Sequence, residues 1–394
     1  MAIKINISGK RVDFFTAGTI SLKLDSIAST FEFSARFSAN KPEHQEMFKP
    51  LQYKLVEVFN SDDNLIFTGT ILNHRFRSDP GRNLVIISGY SKCGILEDVC
   101  IPVSAYPLES NNRSLKDIAD RLCGLFNIKC VVAEQAKTIT ETLVKSRKNK
   151  PSNIKSVLSD LQAKAKSVFG RTSASPSESI KEYLAKLASQ KNIVLTHNEK
   201  GEVLLFQPDL DQKINYFFTK GNSLSMGADF NGQAMHSEVN VVRQPSDDNA
   251  GVSTSDIAKN SLVGAYRPTT KILSSGGDTQ TKNGALNEVA AELKNITVTV
   301  ELQGLFDKIY PGEIVNVHNH YIYSYAYNRF MVDSITMKFD ENSDTTSLGL
   351  VVPESFTGGP VIRNILYNHS DEDLHIEPHL NEDNSLYTNN IDIL

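Results

Sequence analysis

Phe31-Glu32-Phe33-Ser34-Ala35-Arg36-Phe37 alternates strictly between apolar and polar residues. A strand sends successive side chains to opposite faces, so this run predicts one aromatic face and one wet face. Slipping its pairing by a single residue would turn the phenylalanines to water, which specifies the register strongly. The same alternation precedes it, with Ile20, Leu22 and Leu24 separated by Ser21, Lys23 and Asp25. Beyond it, Tyr53 to Phe59 and Leu65 to Phe76 flank the turn Ser61-Asp62-Asp63-Asn64 and read as a hairpin. Ser78-Asp79-Pro80-Gly81 turns the chain again, into Leu84 to Tyr90. This many strands packed before Ser91 predict a small barrel or a strongly curled sheet.

A second unit of the same kind lies far downstream. Ile296, Val298, Val300 and Leu302 alternate with Thr297, Thr299, Glu301 and Gln303, followed by strand-like runs at Ile314 to Val317, Phe330 to Phe339 and Leu348 to Val352. Between the two units the period changes. Leu115, Ile118, Ala119, Leu122, Cys123 and Phe126 keep helical spacing behind a Ser114/Asp117 capping pair, and Asn127 leads into the short strand Ile128 to Val132. The grammar then repeats. Ser175, Pro176 and Glu178 predict a helix start, Ile180, Tyr183, Leu184, Leu187 and Ala188 its buried stripe, Asn192 its end, and Ile193 to Thr196 a strand. Asn198-Glu199-Lys200-Gly201 turns into Val203 to Phe206.

The class is thus α+β and β-rich: two similar small antiparallel β-barrels with helix-containing α+β domains between them. The expected regions are a barrel over 1–97 and an α+β domain over 98–213 carrying a basic insertion at 137–171. A second barrel is expected from 214–245 plus 296–358, a small loop-rich insert with one helix over 246–295, and an acidic tail over 359–394. Residues 244–284, rich in Ser, Thr, Asn, Asp and Gly, are read as mostly loop; Leu286, Val289, Ala290 and Leu293 carry the helical stripe.

A chain of 394 residues is too long for one ordinary core. A net charge of −5 gives no global attraction to nucleic acid or anionic membrane. No continuous apolar run is long enough for a signal peptide or a membrane span. Both cysteine spacings, Cys93 to Cys100 and Cys123 to Cys130, are unlike zinc or redox motifs; buried reduced thiols are expected, with two disulfides as the alternative. Residues 137–171 carry nine Lys or Arg residues against Glu141 and Asp160. They read either as a basic arm for nucleic acid or an acidic partner, or as an exposed helix with a solvated face. The one aromatic residue there is Phe169, whereas single-strand binding favours several. After Arg363 the tail holds Asp371, Glu372, Asp373, Glu377, Glu382, Asp383 and Asp392, with Leu374, Ile376, Tyr387, Ile391 and Ile393 among its apolar residues. Such a segment cannot bury enough to fold alone; it stays disordered, or orders as it docks on a neighbouring subunit or a partner through those apolar residues.

Catalytic patterns are missing. G-x-S-x-G, H-E-x-x-H, Walker A and G-x-G-x-x-G do not occur. His318 and His320 are expected on one face of a strand with no third ligand placed. His375 and His379 are separated by Pro378, and Asp209 and Asp211 cannot be shown to face a cleft. Neither catalytic residue, metal nor cofactor is expected.

The order of these pieces resembles the baseplate hub proteins of contractile-tailed phages, chiefly the Mu-type tail hub and late-control D proteins, and more distantly the core of type VI secretion spike proteins. Four places carry it. They are Ile20 to Leu24 and Phe31 to Phe37 with Leu65-Ile66-Phe67-Thr68-Gly69; Ile87-Ser88-Gly89-Tyr90-Ser91-Lys92 leading through Leu96-Glu97-Asp98 to Leu115 to Ile128; Glu178 to Phe206; and Ile296 to Val300 with Gly312-Glu313-Ile314-Val315-Asn316-Val317 and the end at Leu348 to Phe356. The basic segment and the acidic tail depart from the family pattern. The resemblance implies two tube-like domains per subunit. It also implies a homotrimeric ring that adapts a six-fold tail tube, or its initiator, to a trimeric central spike made as a separate protein. Other baseplate proteins would surround it, DNA would pass only in transit, and there would be no membrane anchor. It places the protein in the virion's tail baseplate, assembled in the bacterial host cytoplasm. The competing readings are a tail-associated cell-wall hydrolase and a DNA-binding protein using 137–171.

Overall fold

The computed structural model describes residues 3–140, 168–169, 172–243, 255–273, 278–322, 329–341 and 343–357. The chain divides into two units, Met1–Gln207 with Thr336–Asp344, and Pro208–Ile335 with Thr345–Leu394.

In the first unit, β1 (Lys4–Ile7), β2 (Lys10–Val12), β3 (Phe15–Lys23), β4 (Thr30–Arg36), β5 (Leu55–Phe59), β6 (Leu65–Asp79) and β7 (Arg82–Ser91) pair in the order β3-β4-β7-β6-β5-β1-β2. Every pairing along that path is antiparallel. Strands β2 and β3 stand at opposite ends of the path, yet only Asp13 and Phe14 separate them in the chain. The sheet therefore has to curl until its ends come close. The inward face is the one that the alternation predicted. Phe15, Phe31, Phe33 and Phe67 are buried, with ring centroids 5.5 Å apart for Phe15 and Phe33, 5.2 Å for Phe31 and Phe33, and 5.7 Å for Phe31 and Phe67. Burying each such ring contributes roughly 2 kcal/mol. The Thr336–Asp344 segment flanks β3: Ser21 Oγ lies 3.3 Å from Thr336 Oγ1, and the Phe339 ring sits 6.0 Å from that of Phe33. Gly18 makes this possible, because a Cβ there would come within 2.4 Å of both rings.

The rest of the unit holds two short sheets, β8 (Arg113–Ser114) with β10 (Val168–Phe169), and β9 (Cys130–Val132) with β11 (Val194–His197) and β12 (Val203–Phe206) in the order β11-β12-β9. Two helices, Leu115–Gly124 and Ile180–Ser189, cover them, and both begin with a complete capping box: Ser114 with Asp117 and Ser179 with Glu182. They also end alike. Asn127 and Asn192 take positive φ of 55° and 54°, and the next residue's N–H returns to the helix, Ile128 to Cys123 O at 3.1 Å and Ile193 to Ala188 O at 3.0 Å. The second helix starts later than the sequence suggested. Ser175 and Glu178 do bond, the Ser175 N–H donating to Glu178 Oε2 at 3.0 Å, but in a turn ahead of the helix. The overlapping Ser179/Glu182 pair forms the cap because it puts Ile180, Tyr183, Leu184 and Leu187 together in the core.

The second unit is built mainly on β13 (Phe217–Thr219), β14 (Ser225–Phe230), β18 (Ile296–Gln303), β19 (Ile314–His318), β20 (Arg329–Phe339) and β21 (Asp344–Val351), paired in the order β14-β18-β21-β20-β19-β13, with the end of β20 from Thr336 and the first residue of β21 counted in the first unit. The β13 to β19 pairing is parallel; the others resolved are antiparallel. Residues 220–224 alone join the end strands β13 and β14, and Asn319 Nδ2, just past β19, donates to Met226 Sδ on β14 at 3.6 Å. This sheet too curls back toward itself.

One expectation fails here. Residues 255–273, read as loop, form β16 (Ser255–Lys259) and β17 (Pro268–Leu273), which flank β15 (Glu238–Arg243). The helix Asp278–Glu292 lies on this sheet, with Ala285, Leu286 and Val289 against Val239, Val241 and Ala258. A strand such as Ser-Asp-Ile-Ala-Lys carries one small inward residue, Ala258, too weak a pattern to read without its partners.

Two outcomes follow. Gly89 sits where a Cβ would fall 1.9 Å from the Thr70 carbonyl oxygen across the β6–β7 pairing. Gly89→Ala should therefore cost about 3 kcal/mol and lower the melting temperature, read by calorimetry. Glu313, beside the Tyr310–Gly312 turn, is pushed by burial up to about 7 from 4.5, against the Tyr310 N–H bond that favours its charge. A raised carboxyl holds its proton in the fold after the unfolded chain has lost it, so stability should fall as pH rises from 4.5 to about 7. Glu313→Gln should flatten that slope, worth about 2 kcal/mol, in melts recorded across the window.

Candidate assembly surfaces

The described residues offer little for covalent chemistry. No three His, Cys, Asp or Glu side chains among them gather as a metal-binding group. All four cysteines are free; Cys93, Cys123 and Cys130 are buried, whereas Cys100 is exposed, contrary to the expectation for all four. Burial pushes the Cys93 and Cys123 thiols up to about 12 and raises that of Cys130 as well, so these three stay protonated and unreactive. His318 closes β19, but His320 lies in the single helical turn His320–Ile322, so the expected pair on one strand does not form. The strand ends because the chain turns at Asn319, whose side-chain oxygen accepts from the Tyr321 N–H at 3.1 Å. Asp209 and Asp211 share a turn, the Asp211 N–H donating to Asp209 Oδ1 at 3.0 Å, rather than facing across a cleft. Among the described residues no helix is long and apolar enough to cross a membrane.

What the first unit does present is a wet sheet face with a sharp charge pattern. Antiparallel partners project to the same side, and the register pairs Arg36 with Leu84 and Leu84 with Arg77, Ser34 with Ile86 and Ile86 with Arg75, and Asp79 with Arg82. The exposed ends of β4, β6 and β7 thus bring Arg36, Arg75, Arg77 and Arg82 onto one face, opposite the phenylalanine core. One of them, Arg36, touches an acid, Glu341, at 3.8 Å and largely in solvent. Towards the middle of the same face lies a cavity of about 350 Å³ lined by Thr19, Glu32, Phe31, Leu72, Ser88 and Tyr90, among others. A bulge in β6 between Ile71 and Asn73 turns Leu72 into it. Tyr90 is held by its hydroxyl donating to Asp98 Oδ2 at 2.7 Å. Leu51 is 72% exposed, and Tyr53, two residues later in the chain and near Tyr90, 61%. Both have positive φ, 59° and 49°, a conformation that side-chain-bearing residues rarely adopt.

Two surfaces of the second unit complete the inventory. Strand β14 is bonded only to β18 among the named strands, leaving one edge available. The face of β15–β17 away from its helix exposes Ile257 and Ile272. The tail residues Leu374, Ile376, Tyr387, Ile391 and Ile393 lie outside the described residues, as does the basic segment apart from Lys137–Thr140 and Val168–Phe169. Phe169 is buried beneath Lys191, whose Nζ sits 4.8 Å from the ring centroid, and is not a stacking platform. The arginine face was missed in the sequence. Arg75 and Arg77 visibly alternate with His74 and Phe76, but their meeting with Arg36 and Arg82 depends on pairing register.

No protein-family model and no curated protein matches the chain. Solved structures do. The 43 kDa tail protein of prophage MuSo2 from Shewanella oneidensis superposes with a TM-score of 0.69 at 18% identity, over 90% of this chain and 99% of that one. A tail protein from Neisseria meningitidis MC58 gives 0.69 at 17%, over 93% and 99%. An Escherichia coli type VI secretion component, described as structurally similar to the phage T4 tail proteins gp27 and gp5, gives 0.52 at 8%, over 92% and 80%. A large curled, antiparallel-rich β-sheet, two capped helix–strand pairs and coverage of nearly the whole of the two tail proteins lead to one structural conclusion: the chain has a phage baseplate hub-like fold.

Proposed function

We propose that this protein is a structural hub subunit of a contractile phage tail or a phage-derived injection machine, without enzymatic activity of its own. Three copies would close a ring around a central channel. Each copy would contribute one curled sheet from strands β1–β7 and one from β13, β14 and β18–β21. A three-fold ring of such subunits offers six similar sheets to a six-fold tail tube, and a three-fold underside to a trimeric spike. DNA would pass through the channel without being bound by sequence.

The observation that carries this reading is the duplication of the curl. In each unit the end strands of an antiparallel-rich sheet are joined by a short link, Asp13-Phe14 in one and residues 220–224 in the other. Strand edges such as β14 would be covered by neighbours in the ring. The likeness to tail proteins of Shewanella and Neisseria over almost their whole length supports the same role and a place in the virion.

Light scattering on purified protein should give three times the 43.7 kDa chain mass alone, or, with its spike present, that mass plus the mass of the bound spike. Monomer at high concentration in both would overturn the proposal.

A further inference from the structure

The arginine face of the first unit has no acidic counterpart of its own size. Glu32 and Asp79 share it with Arg36, Arg75, Arg77 and Arg82, and Glu341 reaches Arg36, so the patch keeps a net positive charge on a chain whose net charge is −5. The complementary charge is elsewhere in the same sequence. Beyond Arg363 there is no further Lys or Arg, while seven carboxylates follow between Asp371 and Asp392. Apolar residues are spaced through that stretch, Leu374, Ile376, Leu386, Tyr387 and Ile391 among them. The face also has what such a ligand needs besides charge. The cavity of about 350 Å³ beside Leu72 and Tyr90 is large enough for one aliphatic or aromatic side chain. Tyr53, held out in solvent in an unfavourable backbone conformation, stands near Tyr90 of its lining.

We propose that the segment following Arg363 docks on this face of a neighbouring copy, its carboxylates against the four arginines and one of its apolar side chains in the cavity. The inference rests on the ring reading above, which supplies the neighbour. The last described residue is Thr357, so residues 358–394 can extend roughly 120 Å, enough to reach an adjacent subunit. Exchange around the ring lets each copy give one tail and receive one, a head-to-tail contact that closes. Arg36 is free to change partner, because an exposed pair such as Arg36–Glu341 is held only weakly.

The test uses full-length chains in two isotopic forms, mixed before assembly, with a photoreactive phenylalanine analogue in place of Tyr387. After irradiation, mass spectrometry should find cross-links joining light to heavy chains, with the acceptor peptides in residues 30–36, 51–54 or 72–90. Yield should fall about tenfold in the Arg36→Glu, Arg75→Glu, Arg77→Glu, Arg82→Glu variant, and likewise in 1 M salt, where screening acts over ~3 Å. A second variant, with the seven tail carboxylates changed to Asn and Gln, should show the same loss. A trimer whose cross-links fall on other surfaces, stay within one chain, or ignore both variants overturns the docking and spares the ring. A monomer by light scattering overturns both.

Discussion

Phe33 is the ring on which the first unit turns. It contacts Phe15 and Phe31 from its own sheet and Phe339 from a segment some three hundred residues later in the chain. Because side chains alternate along a strand, placing Phe33 inward also places Phe31 and Ala35 inward, and sends Glu32, Ser34 and Arg36 to solvent. Pairing then propagates the choice. Leu84 and Ile86 of β7 must face the same way as Arg36 and Ser34, and Arg75 and Arg77 of β6 must follow. The aromatic core and the cationic face are therefore two sides of a single decision about register. A one-residue slip would cost both at once.

This linkage explains what could be read from the amino acids alone. The phenylalanine run, the Thr/Val strand at Ile296–Gln303 and the Ser114/Asp117 cap are local signals, carried by neighbours in sequence, and each forms as its pattern implies. Other features depend on partners that sequence distance conceals. Strands β16 and β17 become strands because β15 and the helix Asp278–Glu292 supply the apolar surface that they lack. His318 and His320 part company because a side-chain bond from Asn319 ends the strand between them. The arginine face is visible as four scattered letters and becomes a surface only through the β4–β7–β6 register. The Ser175/Glu178 and Ser179/Glu182 pairs are equally good caps locally, and packing of Tyr183 and Leu184 chooses between them.

The two helix–strand pairs of the first unit show how a fold reuses a device. Each starts on a reciprocal Ser–carboxylate cap and ends on a left-handed Asn, with the following N–H bonded back to the last turn. These are modest local terms, of order 1 kcal/mol for each cap. They nevertheless fix where both helices stop, which sets the phase of β9 and β11 and their place in one sheet. The buried thiols of Cys93, Cys123 and Cys130 belong to that same packed layer, where they act as small apolar groups.

The Thr336–Asp344 segment has a consequence for how the protein is made. The first unit lacks a flanking strand until Phe339 has left the ribosome, well over a hundred residues after Gln207. At synthesis rates of ~5–20 residues per second that interval is on the order of ten seconds. Throughout it, β3 offers an open backbone edge and Phe33 a half-uncovered ring to everything else in the translating cell. A stop codon placed between the two stretches would release a unit with that edge still open, sticky rather than merely short.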